Sequence, residues 1–440
     1  MSLAFRRILY LTFIFSFFIL TAIVFGFASG YAFNFQNRSI VKTGALVLNT
    51  DPEGAQVFLN GDEQFAGSVF EKKTQIVTPA KIKNLVPGEY EVRLVAKGYA
   101  EWKKKLIIKP GEATFAETVH LFSEDKPRLI DNSQNILFTS DFANRRVLFR
   151  SATDYKLIDL NDGALLGTFP QVASTKYQDL VSDGVLIDKI FYKKLSVTDK
   201  IDLPKISSSS MDQVALDKYS GNVYFLNKNS VKFLDVNSGL TTNLSLATGT
   251  VPELIKVSDN QLLLIAKTNG AQKLYYFVNG KPKGNLDLQS SFYTLDWQDK
   301  EIFWLTDLRN QIIYRGDFST GELTDVINSA SMVQPIDNDK ILYANDHEIL
   351  VYSNETKKSQ LITRVSGKID KLYLHSTKNY VIYSTGNVVF ALEMDERDRR
   401  NTTDLITFDS INNIDYDQST DQLLVSGRYR SQDGLFLFKL

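Results

Sequence analysis

The chain has no cysteine, which excludes disulfides, thiolate metal ligands and cysteine nucleophiles. Histidine is scarce as well, and His120, His347 and His375 never fall in the two-histidine spacing of a zinc-protease helix. From this scarcity we predict no metal, and no motif points to any other cofactor. A cysteine-free chain suits a compartment in which free thiols would oxidise, so the composition fits export.

Neither sign of charge is in surplus, since the sequence has 50 Lys and Arg and 51 Asp and Glu. A dedicated nucleic-acid binder would show a basic surplus, so we expect no nucleic-acid partner. The phosphate-binding pattern G-x-x-x-x-G-K-[ST] and the nucleophile pattern G-x-S-x-G are absent too. The sequence therefore names no reaction, and we expect no catalytic residues.

One long apolar run is present, from Ile8 to Ser29, and it contains no charged residue. At 1.5 Å per residue a helix over this run crosses a hydrocarbon core of about 30 Å. Arg6 and Arg7 precede it, so we expect residues 1–7 in the cytoplasm and the long C-terminal part outside the cytoplasmic membrane. The alternative is a cleaved signal peptide, for which Ala28-Ser29-Gly30 offers the small-x-small cleavage pattern.

After a polar tether over residues 30–43, short alternating segments separated by turn residues predict a small all-β domain. Gly44 to Thr50 reads as a strand, the next turn leads to a hairpin partner at Gln56, and Asn60-Gly61 closes that second strand. The order of turn motifs resembles a PEGA domain over residues 44–122, through Pro52-Glu53-Gly54-Ala55, Asn60-Gly61, Thr78-Pro79, Pro87-Gly88-Glu89-Tyr90, Lys97-Gly98-Tyr99 and Lys109-Pro110-Gly111-Glu112. The stretch from Ser68 to Val77 is longer than that pattern usually has.

The resemblance implies a β-sandwich-like module of exported bacterial and archaeal proteins without catalytic activity of its own. Its turn motif is structural, and Glu53 is then a solvated turn residue. The only short basic run is Lys103-Lys104-Lys105, after Trp102. We consider it a candidate contact for acidic glycans or phospholipid headgroups, the alternative being an exposed edge strand that lysines protect from aggregation.

From Arg128 to Leu440, apolar alternation recurs at a spacing near forty residues, the period of a four-stranded β-propeller blade. Three turns repeat an Asp followed by Gly at a fixed offset, which predicts Asx turns with Gly in the left-handed conformation: Asp159 to Gly163, Asp235 to Gly239 and Asp317 to Gly321. Eight units begin near Leu129, Gln178, Asp212, Glu253, Phe292, Met332, Ile369 and Asn412. The last unit is one strand short; if residues before Asn135 complete it, the count drops to seven.

Aromatic side chains concentrate in one unit, around Tyr293, Trp297, Trp304 and Arg309. They are candidates for stacking on a sugar or anchoring a partner protein, and the alternative is packing between blades. We thus predict an all-β, membrane-anchored protein that binds a protein or cell-wall glycan without catalysis. The runner-up is an envelope enzyme that acts on glycans through carboxylates in the blade loops.

Overall fold

The computed structural model describes residues 3–34, 38–66, 74–134, 137–171, 178–181, 184–203, 213–217, 220–227, 230–258, 261–289, 293–297, 302–337 and 339–440. These residues form two compact units. The first contains Met1–Asp125 together with Leu392–Leu405, and the second contains Lys126–Ala391 and Ile406–Leu440. The unit starts predicted near Asp212 and Phe292 lie outside the described residues.

The first unit begins with helix α1, Leu3–Ala28, whose apolar side chains are exposed from Phe5 onward. Residues Phe5–Ala28 are long and apolar enough to cross a membrane, and an N-terminal signal sequence would share these properties. Two short antiparallel strands follow, β1 (Tyr31–Asn34) and β2 (Ser39–Lys42). The polar composition of this stretch predicted a simple tether, and the structure shows paired strands there instead.

The rest of the first unit is a β-sandwich with one core. One sheet has the order β10-β9-β4-β5, the other has the order β11-β3-β8, and β6 pairs with β7. The strands are β3 (Gly44–Asp51), β4 (Gln56–Leu59), β5 (Asp62–Glu63), β6 (Phe65–Ala66), β7 (Thr74–Gln75), β8 (Ala80–Leu85), β9 (Gly88–Val95), β10 (Trp102–Ile108) and β11 (Ala113–His120). Alternate side chains of both sheets meet in the core, where Leu46, Val57 and Leu94 are fully buried.

The turn at Asp51–Ala55 joins the two sheets, because β3 pairs with β11 and β8 whereas β4 pairs with β9 and β5. The predicted hairpin between these strands is therefore wrong. The turn chemistry is as expected: Gly54 has φ +93°, and Glu53 is exposed. The Asn60-Gly61 turn also has positive φ at both residues and joins β4 to β5, as predicted for a two-residue hairpin.

The second unit contains the repeats. After β12 (Arg128–Asp131), four-stranded antiparallel sheets follow one another along the chain. The first four comprise β13 (Phe138–Asp141), β14 (Arg146–Arg150), β15 (Asp154–Asp159), β16 (Leu165–Pro170); β17 (Gln178–Val181), β18 (Gly184–Ile187), β19 (Ile190–Lys193), β20 (Lys200–Asp202); β21 (Gln213–Leu216), β22 (Val223–Asn227), β23 (Ser230–Leu234), β24 (Thr241–Asn243); β25 (Thr250–Ser258), β26 (Gln261–Thr268), β27 (Ala271–Val278), β28 (Lys281–Asp287). A short 3₁₀ helix at Phe142–Asn144 lies between β13 and β14.

The later sheets keep the same order of strands. They comprise β29 (Tyr293–Trp297), β30 (Ile302–Asp307), β31 (Ile312–Asp317), β32 (Glu322–Asn328); β33 (Met332–Pro335), β34 (Lys340–Ala344), β35 (Glu348–Ser353), β36 (Lys358–Arg364); β37 (Ile369–Leu374), β38 (Tyr380–Thr385), β39 (Val388–Glu393), β40 (Thr402–Thr407); β41 (Ser410–Asp417), β42 (Gln422–Tyr429), β43 (Gln432–Lys439). The last three strands form the sheet β12-β43-β42-β41, so β12 completes it.

This pairing joins the two ends of the second unit. Leu129 of β12 lies opposite Phe436 of β43. A complete sheet still forms from β13 to β16, so the described residues of the second unit contain eight four-stranded sheets. An apolar cluster then packs first-sheet residues such as Val147 and Phe149 against Leu424 and Leu435 of the last sheet.

The Asp-to-Gly turns have the predicted geometry. In the turn between β15 and β16, the Gly163 amide donates to the Asp159 carbonyl over 2.9 Å, and Gly163 has φ +81°. The Asp159 carboxylate accepts from the Asn161 amide at 2.7 Å. The turns that begin at Asp235 and Asp317 repeat both hydrogen bonds, with Gly239 and Gly321 at positive φ. Each of these carboxylates thus stabilises the turn in which it lies by accepting a hydrogen bond from a backbone amide of that turn.

Candidate binding face

Two of the aromatic residues singled out from the sequence, Tyr293 and Trp304, do not lie at the surface. Tyr293 is buried in one apolar cluster and Trp304, which is fully buried, in another. Their rings therefore contribute to packing between strands and are not available to stack on a sugar. The side chain of Trp297 lies outside the described residues, although its backbone pairs with Phe303.

Arg309 has a different environment, since it is exposed on the turn between β30 and β31. The Asp307 carboxylate at the end of β30 holds this turn, accepting from the backbone amides of Arg309 at 2.9 Å and of Asn310 at 3.0 Å. The side chain of Asn310 also donates to Asp307 at 2.9 Å. The backbone that carries Arg309 is thus fixed by a fully buried carboxylate while its guanidinium faces outward.

Arg309 and Asn310 line a cleft of about 780 Å³, which we call cleft B. The cleft lies where the β26–β27 turn, the β28–β29 connector and the β30–β31 turn meet, and its other lining residues are Lys267, Gly270, Ala271, Gln272, Asp287, Leu288 and Gln289. Asp287 is paired with Lys273 at 2.8 Å, and Gln272 donates to Glu253. Lys267 and Arg309 are the cations of the lining, and both are exposed.

A second cleft, of about 310 Å³, lies one sheet further along the chain, and we call it cleft C. Gln311 lines it from the same β30–β31 turn that borders cleft B, and its other lining residues are Ser329, Ser331, Asn345, Asp346, His347, Glu348 and Arg364. The Glu348 carboxylate accepts from Arg364 Nε at 2.9 Å and from Asn345 Nδ2 at 3.0 Å. The hydrogen bonds from Arg364 and Asn345 lower the pKa of Glu348, so this carboxylate stays ionised.

A third cleft, cleft A, has a volume of about 550 Å³ and is lined by the β24–β25 connector, Leu244 to Val251. All three clefts lie at one edge of the repeat sheets, where the second strand ends, the third begins and the chain crosses to the next sheet. We call this the connector edge. The sequence analysis identified only Arg309 at this edge, because the other lining residues belong to no motif. What could have identified many of them is their position between the second and third strands of successive repeats.

The basic run divides between two faces of β10. Lys103 and Lys105 are exposed and pair with neighbours on β9, Glu91 at 2.8 Å and Glu89 at 2.9 Å. Lys104 is fully buried beside Trp102, because alternate residues of a strand point to opposite faces. It is therefore not available to acidic glycans or lipid headgroups, and although β10 is an edge strand of its sheet, Lys104 does not protect an exposed edge.

The segment Leu392–Leu405 supplies the partners of Lys104. Its ammonium lies 2.9 Å from Glu393 Oε2 and 3.4 Å from Asp395 Oδ2, and it donates to the Asp395 carbonyl at 2.9 Å. Trp102 Nε1 donates to Glu393 at 3.3 Å, and the amide of Lys105 donates to Asp398 at 3.0 Å. The edge of β10 is thus covered by a segment nearly three hundred positions later in the chain.

Comparison with known families identifies the sandwich of the first unit. Residues 43–121 are a PEGA domain. The predicted resemblance over residues 44–122 is thereby confirmed, and the PEGA turn at Pro52–Ala55 is the crossing between its two sheets. No curated protein sequence matches the chain.

Solved structures show the fold of the repeats. The chain is similar to the structure of the Dos1 propeller, with a TM-score of 0.52 and 10% identity over 71% of this chain and 93% of that one. A eukaryotic initiation factor structure matches with a TM-score of 0.49, 11% identity and coverage of 73% and 91%. The structure of the dihydro-heme d1 dehydrogenase NirN matches with a TM-score of 0.47 and 10% identity over 70% of this chain and 74% of that one. The likeness to the Dos1 propeller shows that the repeats are β-propeller-like, as expected.

Proposed function

We propose that the chain is a single-pass membrane protein whose PEGA domain and propeller bind or scaffold a partner outside the cytoplasmic membrane. In this proposal α1 remains uncleaved, and Arg6 and Arg7 hold the short tail in the cytoplasm. The eight sheets form a closed ring, which the pairing of β12 with β43 supports. The partner is a protein or a cell-wall glycan of the prokaryotic envelope, and the protein does no chemistry on it.

The observation that best supports a binding role is the position of the clefts. Clefts A, B and C occur at three successive junctions between sheets, and all three open at the connector edge. Cleft volumes of this size are typical of ligand sites. Catalysis of glycan hydrolysis needs a carboxylic acid with a raised pKa, whereas the carboxylate of Glu348 in cleft C has a lowered one. Glu348 is therefore unsuited to the general-acid role that the glycosidase alternative requires.

Photo-crosslinking tests the connector edge in intact membranes. A photoreactive amino acid replaces Arg309 in one variant and, as a matched control, Thr320 in another. Thr320 lies on the β31–β32 turn at the opposite edge of the same sheet and is exposed. We expect an adduct at Arg309 and none at Thr320. A mass gain that glycan hydrolases remove identifies a glycan partner, and one that they leave unchanged identifies a protein. Equal adducts at both edges, or none at either, would overturn the proposed binding face.

The topology is tested separately. Protease added outside spheroplasts should degrade the PEGA domain and propeller, while detergent is required to release the intact protein. A full-length protein that is protected from protease, or that is soluble without detergent, contradicts the proposed orientation and anchor.

A further inference from the structure

The β1–β2 hairpin exposes large apolar side chains on one of its faces. Tyr31 lies opposite Lys42, and Phe33 lies opposite Ile40. Side chains two residues apart share a face of a strand, so these four side chains are on the same side of the hairpin. Tyr31 is 45% exposed, Phe33 48% and Ile40 73%. Such exposure is costly in water.

The hairpin is fixed directly to the end of α1. The Ser29 amide donates to the Phe25 carbonyl at 2.9 Å, and the Gly30 amide donates to Phe27 at 3.0 Å. Gly30 in turn accepts from the backbone amide of Thr43 at 2.7 Å and from its side-chain hydroxyl at 2.9 Å. Both ends of the hairpin are therefore joined to the last turn of the helix, and little chain separates the two.

Helix length places this hairpin at the surface of a bilayer. A core of about 30 Å takes up roughly 20 helical residues. If Arg7 marks the first boundary, the second boundary falls near Phe27, and Tyr31 follows only four positions later. A four-residue strand is about 13 Å long, which keeps both strands within or close to the headgroup layer.

The side chains of this face have the chemistry of the membrane interface. Aromatic residues are enriched at headgroup level, and Lys or Arg beside them attract anionic lipids. Arg38 and Lys42 are exposed on the same hairpin as the aromatic residues. We propose that the face formed by Tyr31, Phe33, Ile40 and Lys42 is inserted in the headgroup region of the bilayer and holds the start of the PEGA domain at the membrane surface. This inference rests on the proposed membrane anchor.

The absence of cysteine allows a direct test, because any introduced cysteine is the only labelling site. Single variants Ile40→Cys, Tyr31→Cys and Ser39→Cys of the full-length protein carry a nitroxide label in vesicles of equal parts phosphatidylcholine and phosphatidylglycerol. Ser39 is the matched control, since it is exposed on the opposite face of the same strand. Phe18→Cys and Glu53→Cys give the reference values for hydrocarbon and for water. The measurement is the ratio of label collisions with oxygen to those with a water-soluble nickel chelate.

We expect the ratios at Ile40 and Tyr31 to lie between the two references and severalfold above the ratio at Ser39. If Ile40 matches Glu53 while Phe18 reports hydrocarbon, the anchor stands and the hairpin proposal is overturned. Equal ratios at Ile40 and Ser39 would also overturn it, because the insertion would not be specific to one face. If Phe18 itself reports water, the membrane anchor fails and the hairpin inference fails with it.

Discussion

The buried ammonium of Lys104 provides a sharp test of how the first unit is held together. The substitution Lys104→Met keeps an unbranched side chain of similar length and removes only the charge and its hydrogen bonds. It leaves Glu393 almost fully buried, with Trp102 at 3.3 Å and Asn401 at 2.9 Å as its remaining donors. Asp395 keeps its pairing with Arg397 at 2.7 Å. The uncompensated charge is therefore mainly that of Glu393.

Breaking a buried ion pair from one side costs about 3–5 kcal/mol, and the donors that remain on Glu393 place this case near 3 kcal/mol. The same substitution at Lys103 removes an exposed pair with Glu91 and should cost less than about 1 kcal/mol. The double variant Lys104→Met with Glu393→Gln removes both charges, so it should be more stable than the sum of the two single effects by about 2 kcal/mol.

Hydrogen exchange measured by mass spectrometry on peptides that contain β10 reports the loss of stability locally, at the substituted strand. A cost of 3 kcal/mol accelerates exchange on the order of 100-fold, because each 1.4 kcal/mol is tenfold in the opening equilibrium. Lys103→Met, in the same strand, is the control and should change exchange by less than about fivefold. If Lys104→Met accelerates exchange no more than Lys103→Met does, the covering of β10 by Leu392–Leu405 does not stabilise the unit.

Further perturbations test the ring and the PEGA turn. Leu435→Ala, at a fully buried position in the cluster that joins the first and last sheets, should cost about 2–5 kcal/mol in thermal unfolding, and deletion of residues 435–440 more; an unchanged melting temperature contradicts ring closure. Burial would raise the pKa of Asp417, but hydrogen bonds from neighbouring hydroxyls outweigh it, and the pKa is lowered. The ionised carboxylate therefore stabilises the folded protein above its ordinary pKa of 3.8, and this stabilisation is lost as the pH falls through the lower folded value. Asp417→Asn should therefore reduce the drop in melting temperature between neutral pH and about pH 3, and an undiminished drop would show that this carboxylate has no part in it. Gly54→Val should destabilise the PEGA domain by about 1–3 kcal/mol because φ is +93°, whereas Glu53→Gln should leave chemical denaturation unchanged; loss of partner binding by a folded Glu53→Gln protein would contradict a purely architectural turn.

Much of the architecture could be predicted because it depends on local patterns. Turns held by Asx hydrogen bonds and by Gly at positive φ are encoded within five residues, and those at Asp159, Asp235 and Asp317 form as predicted. The forty-residue spacing likewise reflects one sheet per repeat. The apolar run from Leu435 to Phe438 lies in β43, which is an inner strand of the last sheet.

The errors arise where the pairing partner is distant in the sequence. Strands β3 and β4 read as a hairpin because they are adjacent, yet the four residues between them lead to a different sheet. From the sequence, Lys104 is taken as one of three equivalent surface lysines. The alternation of β10 places it on the buried side, and the acids that allow this burial lie in Leu392–Leu405. No local pattern contains that information.

Most of the connector edge was missed for a related reason. At the edge opposite the connectors, the turns after β15, β23 and β31 repeat one Asp-to-Gly pattern whose hydrogen bonds are satisfied internally. At the connector edge the turns differ: Asn269-Gly270 joins β26 to β27, four residues join β30 to β31, and three residues join β34 to β35. Repeated turns maintain the fold, whereas turns of unlike length on a rigid scaffold leave side chains such as Arg309 exposed, and loops of this kind commonly carry binding residues in folded proteins. A sequence motif search detects what repeats, so it finds the scaffold and passes over the residues that distinguish one cleft from the next.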